Sequence, residues 1–200
     1  MGEHYFTQEP QSKHELIQFH VTLHGEEFVF QTDAGVFSKS GIDLGTRLLI
    51  DSLPVTPGQR VLDIGCGYGP IGITAARLVT STGFVDMIDI NERAVNLAKT
   101  NLALNKITNA EVWQSDGFES VVHLYDWIIS NPPIRAGKRV VYPMIEQSFV
   151  YCKTGGGLML VIRTKQGAKS MENKMQQVFK NVQIVNIKGG YRVLVSIKIE

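Results

Sequence analysis

Hydrophobic positions along this chain follow two rhythms that take turns. Residues 16–23 alternate, with Ile17, Phe19, Val21 and Leu23 on one face and Leu16, Gln18, His20 and Thr22 on the other. That period of two is a half-buried strand. His24-Gly25-Glu26-Glu27 predicts a turn and Phe28-Val29-Phe30 the start of a second strand, so the chain begins as a hairpin. A loop follows at 35–46, carrying Gly35, Phe37, Gly41 and Gly45. Leu44, Leu48, Leu49 and Leu53 then form a helical stripe, with Asp43 as its N-cap and Pro54 as its stop.

From residue 60 the alternation becomes regular. Strands are predicted at 60–64, 83–88, 111–114, 127–129, 158–162, 182–187 and 192–199. Helical stripes fill four of the five gaps between the first six, all but that between 114 and 127: Ile73 to Val79, Ala94 to Leu102 capped by Asn91, Tyr142 to Cys152, and 168–179. Gly155-Gly156-Gly157 reads as a turn into its strand, and Lys188-Gly189-Gly190-Tyr191 as the turn of a closing hairpin. Strand–helix alternation predicts an α/β fold with a mostly parallel sheet. The C-terminal strand runs antiparallel at the sheet edge, and a small N-terminal β-hairpin precedes the whole. Residues 1–34 read as an extension packed on a main domain of 35–200.

Composition excludes several classes. The chain has 200 residues, 44% apolar and 20% charged, enough for one domain with a sizeable core. No apolar run is long enough for a membrane span. The N-terminal stretch is polar, unlike a signal peptide. Cys66 and Cys152 have neither metal-ligand nor redox spacing, which fits the cytoplasm. His20 and His24 share a strand face with no third ligand nearby, so no metal site is expected. Charge is uneven: residues 1–100 hold 7 Lys/Arg against 12 Asp/Glu, and residues 101–200 hold 13 against 7. The basic second half points to an anionic partner.

The candidate chemistry gathers at strand ends. Trp127-Ile128-Ile129 stops at Ser130-Asn131-Pro132-Pro133. Neither proline can donate to a sheet ladder, so the corner presents the Asn131 amide and the Pro132 carbonyl. The carboxyl ends of strands are where open α/β sheets bind ligands. The strand at 60–64 runs into Gly65-Cys66-Gly67-Tyr68-Gly69, a glycine loop before a helix, and so a cradle for a nucleotide-like cofactor. Asp89 ends the next strand and suits a pair of ribose hydroxyls; Asp116, after the third, can accept from an adenine amino group. Gly67-x-Gly69-x-x-Gly72 alone would also fit a nicotinamide dehydrogenase. The earlier Asp63-Ile64-Gly65 start, the second acid and the Asn-Pro-Pro corner count against one.

With these motifs the sequence resembles the class I S-adenosylmethionine-dependent methyltransferases over about residues 35–199. Within them it is most similar to the small methyltransferase domain of ribosomal RNA guanine-N2 methyltransferases. The resemblance implies a Rossmann-like fold and S-adenosylmethionine as cofactor. It implies that Gly65, Gly67 and Gly69, with Cys66, pass under the methionine part, and that Asp63 supports the loop. Asp89 would take the ribose and Ile90 would lie against the adenine, with Asp116 and Gly117 at its amino group. Asn131 borders both ligands. With Pro132 and Pro133 it would grip an exocyclic amine, the N2 of a guanine in small-subunit (16S) ribosomal RNA.

Amino-group methyltransferases acting on adenine or glutamine usually carry an aromatic residue after the second proline, where this chain has Ile134. Phe37 is the candidate to stack on the target instead. Arg135, Lys138 and Arg139 follow the corner and can hold flanking phosphates. The expected partner is therefore ribosomal RNA or the small ribosomal subunit. A glutamine-N5 protein methyltransferase and a non-catalytic cofactor- or RNA-binding module are the alternatives.

Overall fold

The computed structural model describes residues 15–33, 36 and 41–200. Strands β1 (Ile17–Leu23) and β2 (Glu26–Thr32) pair antiparallel, with Phe19 opposite Phe30 and Val21 opposite Phe28. The turn is shorter than expected. His24 and Gly25 alone make it, both at positive φ (49° and 79°), the two-residue form that matches strand twist. Glu26 and Glu27 are already in β2. His24 therefore leaves the strand face that it was expected to share with His20; its Nε2 lies 2.7 Å from the Ile50 carbonyl.

The main sheet contains β3 (Arg60–Ile64), β4 (Phe84–Asp89), β5 (Ala110–Gln114), β6 (Tyr125–Ser130), β7 (Cys152–Arg163), β8 (Gln183–Lys188) and β9 (Tyr191–Ile197). Their order across the sheet is β5-β4-β3-β6-β7-β9-β8. The first five are parallel, and β9 is antiparallel to both β7 and β8. Helices α1 (Leu44–Ile50), α2 (Pro70–Val79) and α3 (Glu92–Leu104) cover one face. Helices α4 (Lys138–Tyr151) and α5 (Ala168–Phe179) cover the other.

Three expectations change. The antiparallel strand is not at the edge: β9 lies between β7 and β8. Val193, Leu194, Val195 and Ser196 are buried in succession, as an interior strand requires, whereas Ile184, Val185 and Ile187 of edge strand β8 are exposed. The glycine triplet is no turn into β7, which begins earlier, at Cys152. A Cβ on Gly157 would lie 2.5 Å from the Trp127 ring, so close passage beside β6 selects glycine there. Finally, α1 ends at Ile50 instead of reaching Leu53, and Leu44 stays exposed on its first turn. Asp43 does cap it, accepting from the Gly45 and Thr46 amides.

The hairpin rests on the main domain through α3. Asn101 accepts from Gln31 N–H (2.7 Å) and donates to Gln31 O (2.9 Å). One turn later Asn105 does the same for Val29, at 3.0 and 2.7 Å. Four helical residues advance about 6 Å, and two strand residues advance about 6.7 Å. The spacings match, so two asparagine side chains act as a mock neighbouring strand. Above them Phe19 and Phe30 pack edge-on to Tyr68 of the glycine loop.

Candidate active site

The direction in which strands are added to the sheet reverses between β3 and β6: β4 and β5 build outward on one side of β3, and β6 begins the other half. A crevice opens at such a switch point, above the carboxyl ends of the strands. Its two sides are tied together below, where the buried Ser130 hydroxyl donates to Ile64 O at 2.7 Å.

On the β3 side the loop turns through Gly65 and Gly67, with φ of 69° and 58°. A Cβ at either position would meet nothing within 4 Å, so the backbone itself faces open space. Asp63 receives the Gly72 N–H on Oδ2 at 2.8 Å, pinning the start of α2 to β3. Its Oδ1 is buried with no hydrogen-bond partner among the described residues. Asp89, closing β4, receives Gly67 N–H on Oδ2 (2.8 Å) and Asn91 N–H on Oδ1 (2.9 Å). Ile90 is half-buried beside it, its carbonyl taken by Gln114. Asp116 and Gly117 lie just past β5, Asp116 exposed and Gly117 at φ 54°. An open glycine cradle followed by carboxylates on the next two strand ends fits a cationic, ribose-bearing cofactor.

Burial dominates the electrostatics here. It lifts the Asp63 carboxyl from 3.8 to about 7, against the opposing Gly72 N–H and with the Asp89 charge adding to the rise. Asp89 is raised by the same cause. Burial also pushes the Cys66 thiol well above its ordinary value, so Cys66 is no nucleophile. A folded-state value above the unfolded one means that the folded chain keeps a proton the unfolded chain has lost. Stability therefore falls as pH rises from 3.8 to about 7, and the cost is complete above that. Asp63→Asn should flatten this part of the profile in urea unfolding measured across the window. Parallel profiles for the two proteins would refute the burial account.

On the β6 side the Asn131 Nδ2 donates to Thr46 Oγ1 at 2.9 Å, and the Thr46 hydroxyl donates to Asp43 Oδ2 at 2.5 Å. Thr46 is buried in α1, against half-buried Asn131. Pro133, at φ −74° and ψ 76°, makes a three-residue turn in which Ile134 N–H donates to Pro132 O at 2.8 Å. One lone pair of that carbonyl remains for another donor. Ile134 packs against the core on the α4 side. Arg135, Lys138 and Arg139 are exposed around the turn into α4, and Lys138 Nζ lies 5.6 Å from the Tyr142 ring centroid. Phe37 lies outside the described residues. Sequence reasoning missed Thr46, Ser130 and Asn101; the Asp43-x-x-Thr46 spacing of a capped helix was the one local signal for Thr46.

Comparison with known proteins places this geometry. A family model described as methyltransferase small domain matches residues 27–195. An uncharacterized Bacillus subtilis (strain 168) protein, YbxB, is 42% identical over 203 residues, covering all of both chains. Ribosomal RNA small subunit methyltransferase C of Vibrio cholerae serotype O1 is 34% identical over 145 residues, 70% of this chain and 42% of the relative's own length. The chain thus spans less than half of that enzyme. Among solved structures, the Thermus thermophilus 16S rRNA N2 G1207 methyltransferase (RsmC), in complex with AdoMet and guanosine, aligns with a TM-score of 0.83 at 24% identity. That alignment covers 94% of this chain and 52% of the other. With a parallel sheet, a glycine cradle and an Asn-Pro-Pro corner at the switch point, and with a family model running through all of them, this chain belongs to the methyltransferase small domain family.

Proposed function

We propose that this protein transfers a methyl group from S-adenosylmethionine to the exocyclic N2 amine of a guanine in small-subunit ribosomal RNA. The observation that carries the reading is the Asn131-Pro132 corner, which closes β6 at the switch point directly across from the glycine cradle. The ribosomal RNA methyltransferases among the relatives supply the substrate class.

Gly65 and Gly67 would admit the cofactor to the backbone, Asp89 would take its ribose, and Ile90 and Asp116 would border its adenine. Gly69, expected beside them, instead turns toward the core, where a Cβ would lie 2.8 Å from the Met87 side chain. Bound S-adenosylmethionine supplies a methyl group already activated on a sulfonium. The chain's own residues therefore need chiefly to position the acceptor. Asn131 Oδ1 and the remaining lone pair of Pro132 O accept the two N–H bonds of the target amine. Holding both favours a pyramidal nitrogen and frees its lone pair. The methylated amine is transiently cationic and sheds its proton readily, so no strong general base is needed. A guanine within structured RNA has to leave its stack to reach this corner.

Incubating the protein with methyl-labelled cofactor and unmodified small ribosomal subunits tests the reading. Label recovered as N2-methylguanosine supports it; label found only in protein overturns it. Among the described residues neither Arg135 nor Arg139 is paired with a carboxylate, which leaves both available to phosphates. Replacing Lys138 and Arg139 together by Ala should reduce the slope of log affinity for RNA against log salt by about two. An unchanged slope would exclude phosphate contact at this turn.

A further inference from the structure

We infer that Asp43 and Thr46 are positioning residues which set, by hydrogen-bond polarity, the direction in which the Asn131 amide faces. The inference rests on the reading of Asn131 as a grip on the target amine, and it explains how that grip is kept in one orientation.

An asparagine amide has nearly the same shape either way round. Only one orientation offers an acceptor to an incoming –NH₂; the other offers two N–H groups and repels it. Something must therefore choose. Asp43 provides the choice through two oxygens with separate tasks. Its Oδ1 accepts from Gly45 N–H at 2.9 Å and Thr46 N–H at 3.2 Å, capping α1. Its Oδ2 accepts the Thr46 hydroxyl at 2.5 Å.

A carboxylate can only accept, and a threonine hydroxyl has a single proton. Once that proton points at Asp43, Thr46 Oγ1 can only accept from its other neighbour. The neighbour is Asn131, 2.9 Å away. Its –NH₂ must turn toward Thr46, leaving Oδ1 to face the crevice. Thr46 is 4% exposed, so water cannot readily replace it in the chain. A helix cap thus extends its polarity through one hydroxyl to the amide that would meet the substrate.

Asp43→Asn tests this directly, because Asn caps helices about as well as Asp. Its Oδ1 can keep the cap, which places its –NH₂ where Oδ2 was. Thr46 must then accept from residue 43 and give its own proton to Asn131, which turns the Asn131 oxygen inward. Thr46→Val removes the hydroxyl at constant shape, and Thr46→Ser retains it. Asp43→Asn and Thr46→Val should each lower kcat on unmodified small subunits about tenfold, leaving KM for the subunit and affinity for S-adenosylhomocysteine unchanged. Thr46→Ser should restore wild-type kcat.

A second measurement needs no substrate. In ¹⁵N-edited NMR the Asn131 side-chain –NH₂ should show slowed exchange with water and cross-peaks to the Thr46 methyl group, and both should be lost in Asp43→Asn. Wild-type kcat in Asp43→Asn, or unchanged Asn131 amide signals, would overturn the inference. If the wild-type protein methylates no RNA, the proposed function fails, and the amide signals alone still decide whether Asp43 and Thr46 orient Asn131.

Discussion

Asn131→Ala should reduce methyl transfer to RNA by about 10²–10³-fold while S-adenosylhomocysteine still binds with nearly wild-type affinity. The size follows from what the side chain would do. Its oxygen would be one of only two acceptors for the amine, and its demand is greatest as the nitrogen becomes pyramidal. An acceptor that matters chiefly in the transition state shows in kcat rather than KM. The fold has little reason to suffer. Asn131 is half-buried, and the Thr46 hydroxyl loses a donor but keeps its own bond to Asp43. Pro132→Ala is the informative companion, because it keeps the carbonyl. Its loss should be much smaller, arising only from a looser three-residue turn at Pro133. Melting temperature and ligand affinity, measured beside single-turnover rates, separate a positioning loss from a folding one. If Asn131→Ala kept more than about a tenth of wild-type activity, the amide would not be gripping the amine.

What could be read from the sequence, and what could not, divides by how local the cause is. The strands that build the crevice announce themselves: β3 and β4 are apolar runs broken by a glycine loop or an acid, and β6 is broken by Asn-Pro-Pro. Helix α3 was visible from Asn91 and its stripe, and α5 from its spacing, because period and caps are properties of neighbouring residues. Strand β9 shows the limit. Its apolar run at Val193-Leu194-Val195 was legible, but its insertion between β7 and β8 is decided by partners far along the chain. The same holds for Thr46. Nothing near it in sequence hints that its hydroxyl meets Asn131, which is 85 residues away. Asp43 was legible only for its local task, the cap, while its second oxygen faces a tertiary contact. Pro132 is legible as a residue with no N–H for a ladder and a carbonyl left to present, but the bond that this carbonyl accepts from Ile134 N–H depends on the backbone angles of Pro133.

Asn101 is the strongest case of a polar residue whose importance lies wholly in the fold, and Asn101→Ala should be the most costly single change at the hairpin. It sits on α3 among Ala98 and Leu102, where a sequence reader sees a helix face with an ordinary polar break. In the structure it is fully buried and makes three bonds: it accepts from Gln31 N–H and donates to Gln31 O and to Tyr68 O, the last at 2.7 Å. Truncation leaves one donor and two acceptors without their partner, the Tyr68 carbonyl at a buried bond and the Gln31 N–H and carbonyl at partly buried ones. Each unmet buried group costs about 1–3 kcal/mol, so even with partial relaxation the loss should be about 3 kcal/mol. At this chain length that lowers the melting temperature by about 6–12 °C. Asn101→Asp should be at least as harmful, since it keeps the bond from Gln31 N–H but turns a buried acceptor toward two carbonyls. Asn105→Ala should cost less. Asn105 serves only Val29 on the hairpin, and its other bond is to Asn101 O within α3. The consequence reaches the crevice, because Asn101 joins the hairpin to the glycine loop through Tyr68 O. Urea unfolding of Asn101→Ala should therefore show lost stability together with weakened S-adenosylhomocysteine binding, whereas Asn105→Ala should lose stability with binding nearly intact. A melting temperature for Asn101→Ala within about 2 °C of wild type would show that α3 does not hold the hairpin in this way.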